Sequence, residues 1–183
     1  MPSRCLTGAT PLARHVPSIC GAVDAIDRVL MNSRLHYLGA AARVVEPQMK
    51  LAVLTCMDAR VDVSAVLGLR PGDAHVIRNA GGRATPEARN ALVVSQALLG
   101  TREIMVIHHT ECAMGRMTEA ELRARIESAS GHPFHADLGA FSDPIAAVRQ
   151  DLERLRGDQN LVHREKIRGF IYDLNANAVN EVV

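Results

Sequence analysis

The sequence predicts an α/β fold: a mainly parallel central sheet flanked by helices, with an N-terminal helical arm. Two observations carry this. Apolar runs of strand length recur at residues 51–55, 74–78, 103–108 and 167–172, and segments with helical punctuation lie between them. A chain of 183 residues with 48 % hydrophobic content also suffices for one domain whose core closes without disulfides.

Taken in order, residues 22–42 read as a helix with Ile26, Val29, Leu30, Leu35 and Leu38 favouring one side. Leu51-Ala52-Val53-Leu54-Thr55 has the unbroken apolar character of a strand buried on both faces. A short helix over 63–69 ends in the turn Pro71-Gly72-Asp73, and a second strand over 74–78 leads into a loop at Gly81-Gly82. Pro86 opens a helix that Gly100 stops, with Ala91, Leu92, Ser95, Leu98 and Leu99 as its inward face. The third strand is Glu103-Ile104-Met105-Val106-Ile107-His108. Thr118 with Glu121 forms a capping box for the next helix, and Asp143-Pro144 starts another that reaches about Leu155. Residues 130–142, rich in Gly, His and Pro, read as a surface excursion, and 167–172 as the final strand.

This division expects a loose or upstream-misassigned tail at residues 1–21 and a single α/β domain at 22–183. A net charge of +1 and 3 % aromatics, with no Trp, exclude a broad basic field and stacking platforms, so nucleic acid is not an expected partner. No apolar run approaches the ~20 residues of a membrane span. Nor does the N-terminus hold the apolar stretch of ~7–15 residues of a secretory signal. The expectation is a cytoplasmic protein without a membrane partner. Arg102, Arg123, Arg125, Arg154 and Arg156 read as solvated surface, and Glu87 as a favourable charge at a helix start.

Cysteines stand at 5, 20, 56 and 112, which is no secreted disulfide framework. Cys56-Met57-Asp58-Ala59-Arg60 follows the first buried strand, and His109-Thr110-Glu111-Cys112 follows the third. Both lie at the carboxyl ends of parallel strands, where ligand sites collect. One Cys or His in such a place is commonly a core residue. Two clusters of ligand types at two strand ends are not. Two thiolates and an imidazole suit Zn²⁺, and a catalytic zinc keeps a fourth position open. Asp58 is a candidate for that position, or for orienting whatever fills it.

Cys-x-Asp-x-Arg followed by His-x-x-Cys, with His75-Val76-Ile77-Arg78-Asn79-Ala80-Gly81-Gly82 and Ile171-Tyr172-Asp173, resembles the beta-class carbonic anhydrases over residues 51–173. Ala59 and the short chain resemble the compact bacterial sub-group, mycobacterial members included. The resemblance implies one zinc per chain, held by Cys56, His109 and Cys112. It implies reversible hydration of carbon dioxide to bicarbonate and a proton by zinc-bound hydroxide. It also implies that Arg60 holds Asp58 off the metal in an open state and that Asp58 ligates the metal in a closed one. Gly81 and the Ala113 amide are the implied substrate contacts, with Ala113 standing where relatives often carry Gly. A homodimer or higher homo-oligomer is implied too, the N-terminal helix either exchanging between subunits or covering its own sheet. Zinc lowers the pKa of its water to about 7 in a three-histidine site. Two thiolate ligands should make that water less acidic and favour alkaline pH. The alternatives are a hydrolase of a related small molecule such as carbon disulfide, or a non-catalytic zinc protein. Strand alternation points His108 away from its neighbour His109, so only one of the pair should reach the metal.

Overall fold

The computed structural model describes residues 25–35 and 45–182. The expected tail at 1–21, the ends of the first helix, Cys5 and Cys20 lie outside the described residues. Helix α1 (Ala25–Leu35) belongs to an N-terminal unit separate from the one that holds the sheet, and its Ile26, Val29 and Leu30 are exposed. No described helix is long and apolar enough to cross a membrane.

The second unit runs β1 (Leu51–Cys56), α2 (Val63–Leu67), β2 (Ala74–Asn79), α3 (Pro86–Ala97), β3 (Glu103–His109), α4 (Glu119–Ser130), α5 (Pro144–Arg156), β4 (Ile167–Asp173) and β5 (Ala178–Glu181). The strand order is β2-β1-β3-β4-β5; the first four strands are parallel and β5 is antiparallel to β4. β1 is therefore internal, and Ala52, Val53 and Leu54 have no exposed surface, as expected of a strand covered on both faces.

Alternation along the strands divides the core in two. Ala52, Leu54, Ile104, Val106 and Ile167 pack with Leu92 of α3 and with Val148, Leu152 and Leu155 of α5. Val53, Ile107, Phe170 and Tyr172 pack on the other face with Val61 and Val63. Each fully buried Leu, Ile or Val contributes about 1.5–3 kcal/mol relative to exposure. Gly169 in β4 lets α5 sit close, since an added Cβ would overlap Val148 Cγ1 and stand 2.9 Å from Leu152 Cδ1.

The predicted strands and helices are present, with corrections. α2 stops at Leu67, where Gly68 takes a left-handed cap at φ 65°. In α3 the buried stripe is Ala88, Leu92, Ser95 and Gln96; Ala91 is exposed. Leu98 is 74 % exposed because the helix has ended at Ala97. Gln96 tolerates burial because its amide pairs with both the N–H and the carbonyl of His163. β5 was not predicted. It is short and only half apolar, yet Asp173 Oδ1 accepts from the Asn175 and Ala176 amides and Asn177 adopts φ 51°, a turn legible in Asp-x-Asn-x-Asn. Residues 131–142 are more than a surface excursion: Leu138, Ala140 and Phe141 pack beside Cys56, Cys112 and Met114. Arg123, expected on the surface, is half-buried and donates to the carbonyls of Phe134 and Ala136 in that loop.

Candidate metal centre

The parallel register sets Cys56 beside Asn79 and Thr55 beside Ile107, so the carboxyl ends of β1, β2 and β3 share one edge. Cys56 closes β1 and His109 closes β3, and Cys112 follows after a sharp turn in which Glu111 takes φ 57°. A left-handed non-glycine residue costs roughly 1–3 kcal/mol and clusters at functional sites. Here it folds Cys112 back toward Cys56.

The result is a buried three-donor cluster. The ligand atoms of Cys56, His109 and Cys112 all lie within 4.8 Å of one another, and the two sulfurs are 3.8 Å apart. His109 Nδ1 is 2.8 Å from the Thr110 carbonyl, which assigns it the ring proton and leaves a lone pair on Nε2. That Nε2 is buried with no hydrogen-bond partner. An orphan acceptor costs free energy unless a cation meets it.

The two sulfurs are close enough to share a hydrogen bond. The contact with Cys112 chiefly pushes the Cys56 pKa down, against burial and with help from His109 and then from the backbone amides of Asp58 and Gly81. The same bond, then burial, pushes Cys112 up, against the Met114 amide. Burial disfavours charge on His109, yet its pKa is raised, because the Cys56 sulfur, the Thr110 carbonyl and Asp58 together outweigh burial. A divalent cation placed among these atoms would displace the thiol proton between the sulfurs and satisfy the orphan nitrogen. The donor set fits zinc.

Asp58 stands at the rim. Arg60 grips it through Nε to Oδ1 at 3.0 Å and Nη2 to Oδ2 at 2.7 Å, and the Arg60 amide adds 2.9 Å to Oδ1. These hydrogen bonds hold the carboxyl well below the usual carboxylate range against its partial burial. Asp58 Oδ2 is nevertheless only 3.8 Å from His109 Nε2. The carboxylate is turned to the guanidinium and remains within a short swing of the cluster.

The expected substrate contacts, Gly81 and Ala113, flank the cluster. Gly81 is buried at φ 78°, and an added Cβ would come to 3.3 Å from Met114 Cγ and Phe141 Cε1. Ala113 begins the turn after Cys112 and is exposed.

Several supports went unassigned in the sequence. At Gly82, φ 69°, a Cβ would stand 2.9 Å from the Cys56 nitrogen, so only glycine allows this loop to lie against β1. Arg78 donates to the Cys56 carbonyl at 2.9 Å and the Asp58 carbonyl at 2.7 Å, tying β2 to the metal loop. Both belong to the 75–82 stretch, whose basic residue and second glycine were the available signal. A buried network lies behind the cluster: Arg83 Nε meets Asp151 Oδ2 at 2.7 Å, and His108 Nε2 meets the same oxygen at 3.2 Å. His108 therefore points away from the candidate ligands, as alternation requires. Phe141 lies 5.4 Å from the His108 ring and 5.6 Å from the Arg83 guanidinium. Nothing local in the sequence joins these residues, which the fold brings together from β3, α5 and two loops.

A profile of the family described as carbonic anhydrase matches residues 51–136. Beta-carbonic anhydrase 1 of Mycobacterium tuberculosis is 38 % identical over 136 residues, covering 74 % of this chain and 83 % of the relative. A carbon disulfide hydrolase of Acidianus sp. is 31 % identical over 157 residues, covering 72 % and 76 %. Among solved structures, the carbonic anhydrase from Streptococcus mutans aligns with TM-score 0.78 and 36 % identity over 86 % of this chain and 95 % of that one.

Proposed function

The chain belongs to the beta-class carbonic anhydrases, and from that membership we propose that it interconverts carbon dioxide and bicarbonate with one zinc ion held by Cys56, His109 and Cys112. The observation that carries this is the buried, unpartnered His109 Nε2 facing two sulfurs beside a guanidinium-held carboxylate. Zinc held there supplies Lewis acidity that makes water nucleophilic near neutral pH.

The chain's own residues do the rest. The Thr110 carbonyl fixes the His109 tautomer, and the Asp58, Gly81 and Met114 amides stabilise negative charge on the sulfurs. Asp58, ionised and turned by Arg60, accepts a hydrogen bond from the attacking water and orients its lone pair toward carbon dioxide. Gly81 leaves room for the substrate, and the Ala113 amide contacts it. Asp58 has a second role: released from Arg60 it closes the site by taking the water's place, so rising pH favours the open state. The enzyme works as a homodimer or larger homo-oligomer in the cytoplasm. Hydrolysis of carbon disulfide is the alternative activity, favoured by the 31 % identical relative of that name.

Stopped-flow hydration by zinc-loaded protein, from about pH 6.5 to about pH 9 with Cys56→Ala as the blank, tests the proposal. Hydration above the blank that climbs with pH is expected. A blank-like trace from protein with one zinc per chain would overturn it, and carbon disulfide would be the next substrate tried.

A further inference from the structure

Arg60 is anchored twice. Besides Asp58, it meets Glu111 from the β3 side: Nη2 donates to the Glu111 carbonyl at 3.1 Å and Nη1 to Oε2 at 3.4 Å. These contacts use N–H groups other than those on Asp58, so the two carboxylates do not compete for one donor. Arg116 Nη2 stands 3.7 Å from the same Oε2 and steadies the Glu111 side chain. The left-handed φ of 57° at Glu111 brings both its carbonyl and its side chain to the guanidinium.

We infer that Glu111 is a positioning residue that holds Arg60 in the attitude that keeps Asp58 off the metal. This rests on the roles proposed for Asp58 and Arg60. Arg60 is half-exposed, at 49 %, and a long side chain in solvent must lose its rotamer freedom to grip a carboxylate. With Glu111 in place, the fork is already ordered before Asp58 meets it. Without the Glu111 side chain only its backbone carbonyl still holds Arg60, more of the ordering penalty falls on the Asp58–Arg60 pair, and the carboxylate moves to the cluster more often. Glu111 thus sets the population of the open state without touching substrate.

The test uses the full chain loaded with Co²⁺ and azide as the probe, with apparent affinity read from the visible spectrum at one pH and ionic strength. Apparent affinity scales with the open fraction. Glu111→Gly suits the left-handed backbone and removes the side chain, so Asp58 should close more often and azide should bind about two- to fivefold more weakly. Glu111→Gln, whose amide oxygen still accepts, should show a smaller loss. In an Asp58→Asn background the weakening should vanish. Direct electrostatics predicts the opposite sign, because removing a nearby carboxylate favours an anion. Tighter or unchanged azide binding in Glu111→Gly, or equal weakening in both backgrounds, would overturn the inference. Asp58→Asn alone should bind azide more tightly than wild type. If the two bind equally, the Asp58 gate itself fails, and the role of Glu111 falls with it.

Discussion

Arg60 shows why residue type matters more than charge at this site. Its fork presents Nε and Nη2 to the two oxygens of Asp58, a geometry that an ammonium cannot reproduce. Arg60→Lys should therefore lower kcat roughly tenfold at neutral pH with zinc content unchanged. It should also move the rise of the pH–rate profile upward, because under the proposed gate Asp58 would leave the metal less readily. An unchanged profile would remove Arg60 from the orienting role. At this scale the sequence was informative. Cys56, Asp58, Arg60, His109 and Cys112 all lie at the predicted strand ends, because a short motif after a buried strand is anchored by the strand. Glu111 and Gly82 were not legible in role: a left-handed φ and a 2.9 Å approach to the Cys56 nitrogen are properties of backbone paths, not residue patterns.

At the scale of elements, the Asp151 network joins α5 to β3 and to the loop after β2. Asp151 has no exposed surface. Burial works against its charge, yet the His108 hydrogen bond and the Arg83 guanidinium hold its pKa below the ordinary value. A carboxyl depressed in the folded state contributes stability that is fully present above its unfolded pKa, about 3.9. That stability is lost as pH falls through the folded value. Acid unfolding followed by circular dichroism should therefore steepen below about pH 4 in wild type and flatten in Asp151→Asn. The variant should also be less stable by about 3–5 kcal/mol near neutral pH, since Arg83 would be buried without its counter-charge. Equal acid profiles for the two proteins would show that the pair carries no pH dependence. The element sequence itself was readable because helix starts such as Thr118 and Asp143 carry their own caps. The network was not, because its members stand up to 68 residues apart.

For the whole molecule, the proposed zinc would couple to folding. The cluster exists only when β1 and β3 are paired, so a zinc ion held there would bind the folded chain in preference to the unfolded one. Chelation should lower Tm by about 5–10 °C when zinc had been present at about a hundred times its Kd, and zinc should restore it. A Tm indifferent to chelator would mean that the ion adds nothing to the fold. The parallel sheet was legible at this scale from alternating strand and helix signals. The antiparallel β5 was not, since four residues, only two of them apolar, acquire their role from the register with β4.

The pairing of β1 with β3 also has a consequence in time. Cys56 and Cys112 are separated by 56 positions, and β2 and α3 must be made between them. Closing so long a loop is entropically slow, and contacts of this range form late. On the ribosome, Cys56 emerges well before His109 and Cys112, with no cage to occupy. Loading therefore has to follow β3 out of the exit tunnel, and an ion offered earlier meets a chain unable to keep it. Metal retention during synthesis is then a timer for the strand crossover, and a nascent chain halted before Cys112 should emerge zinc-free.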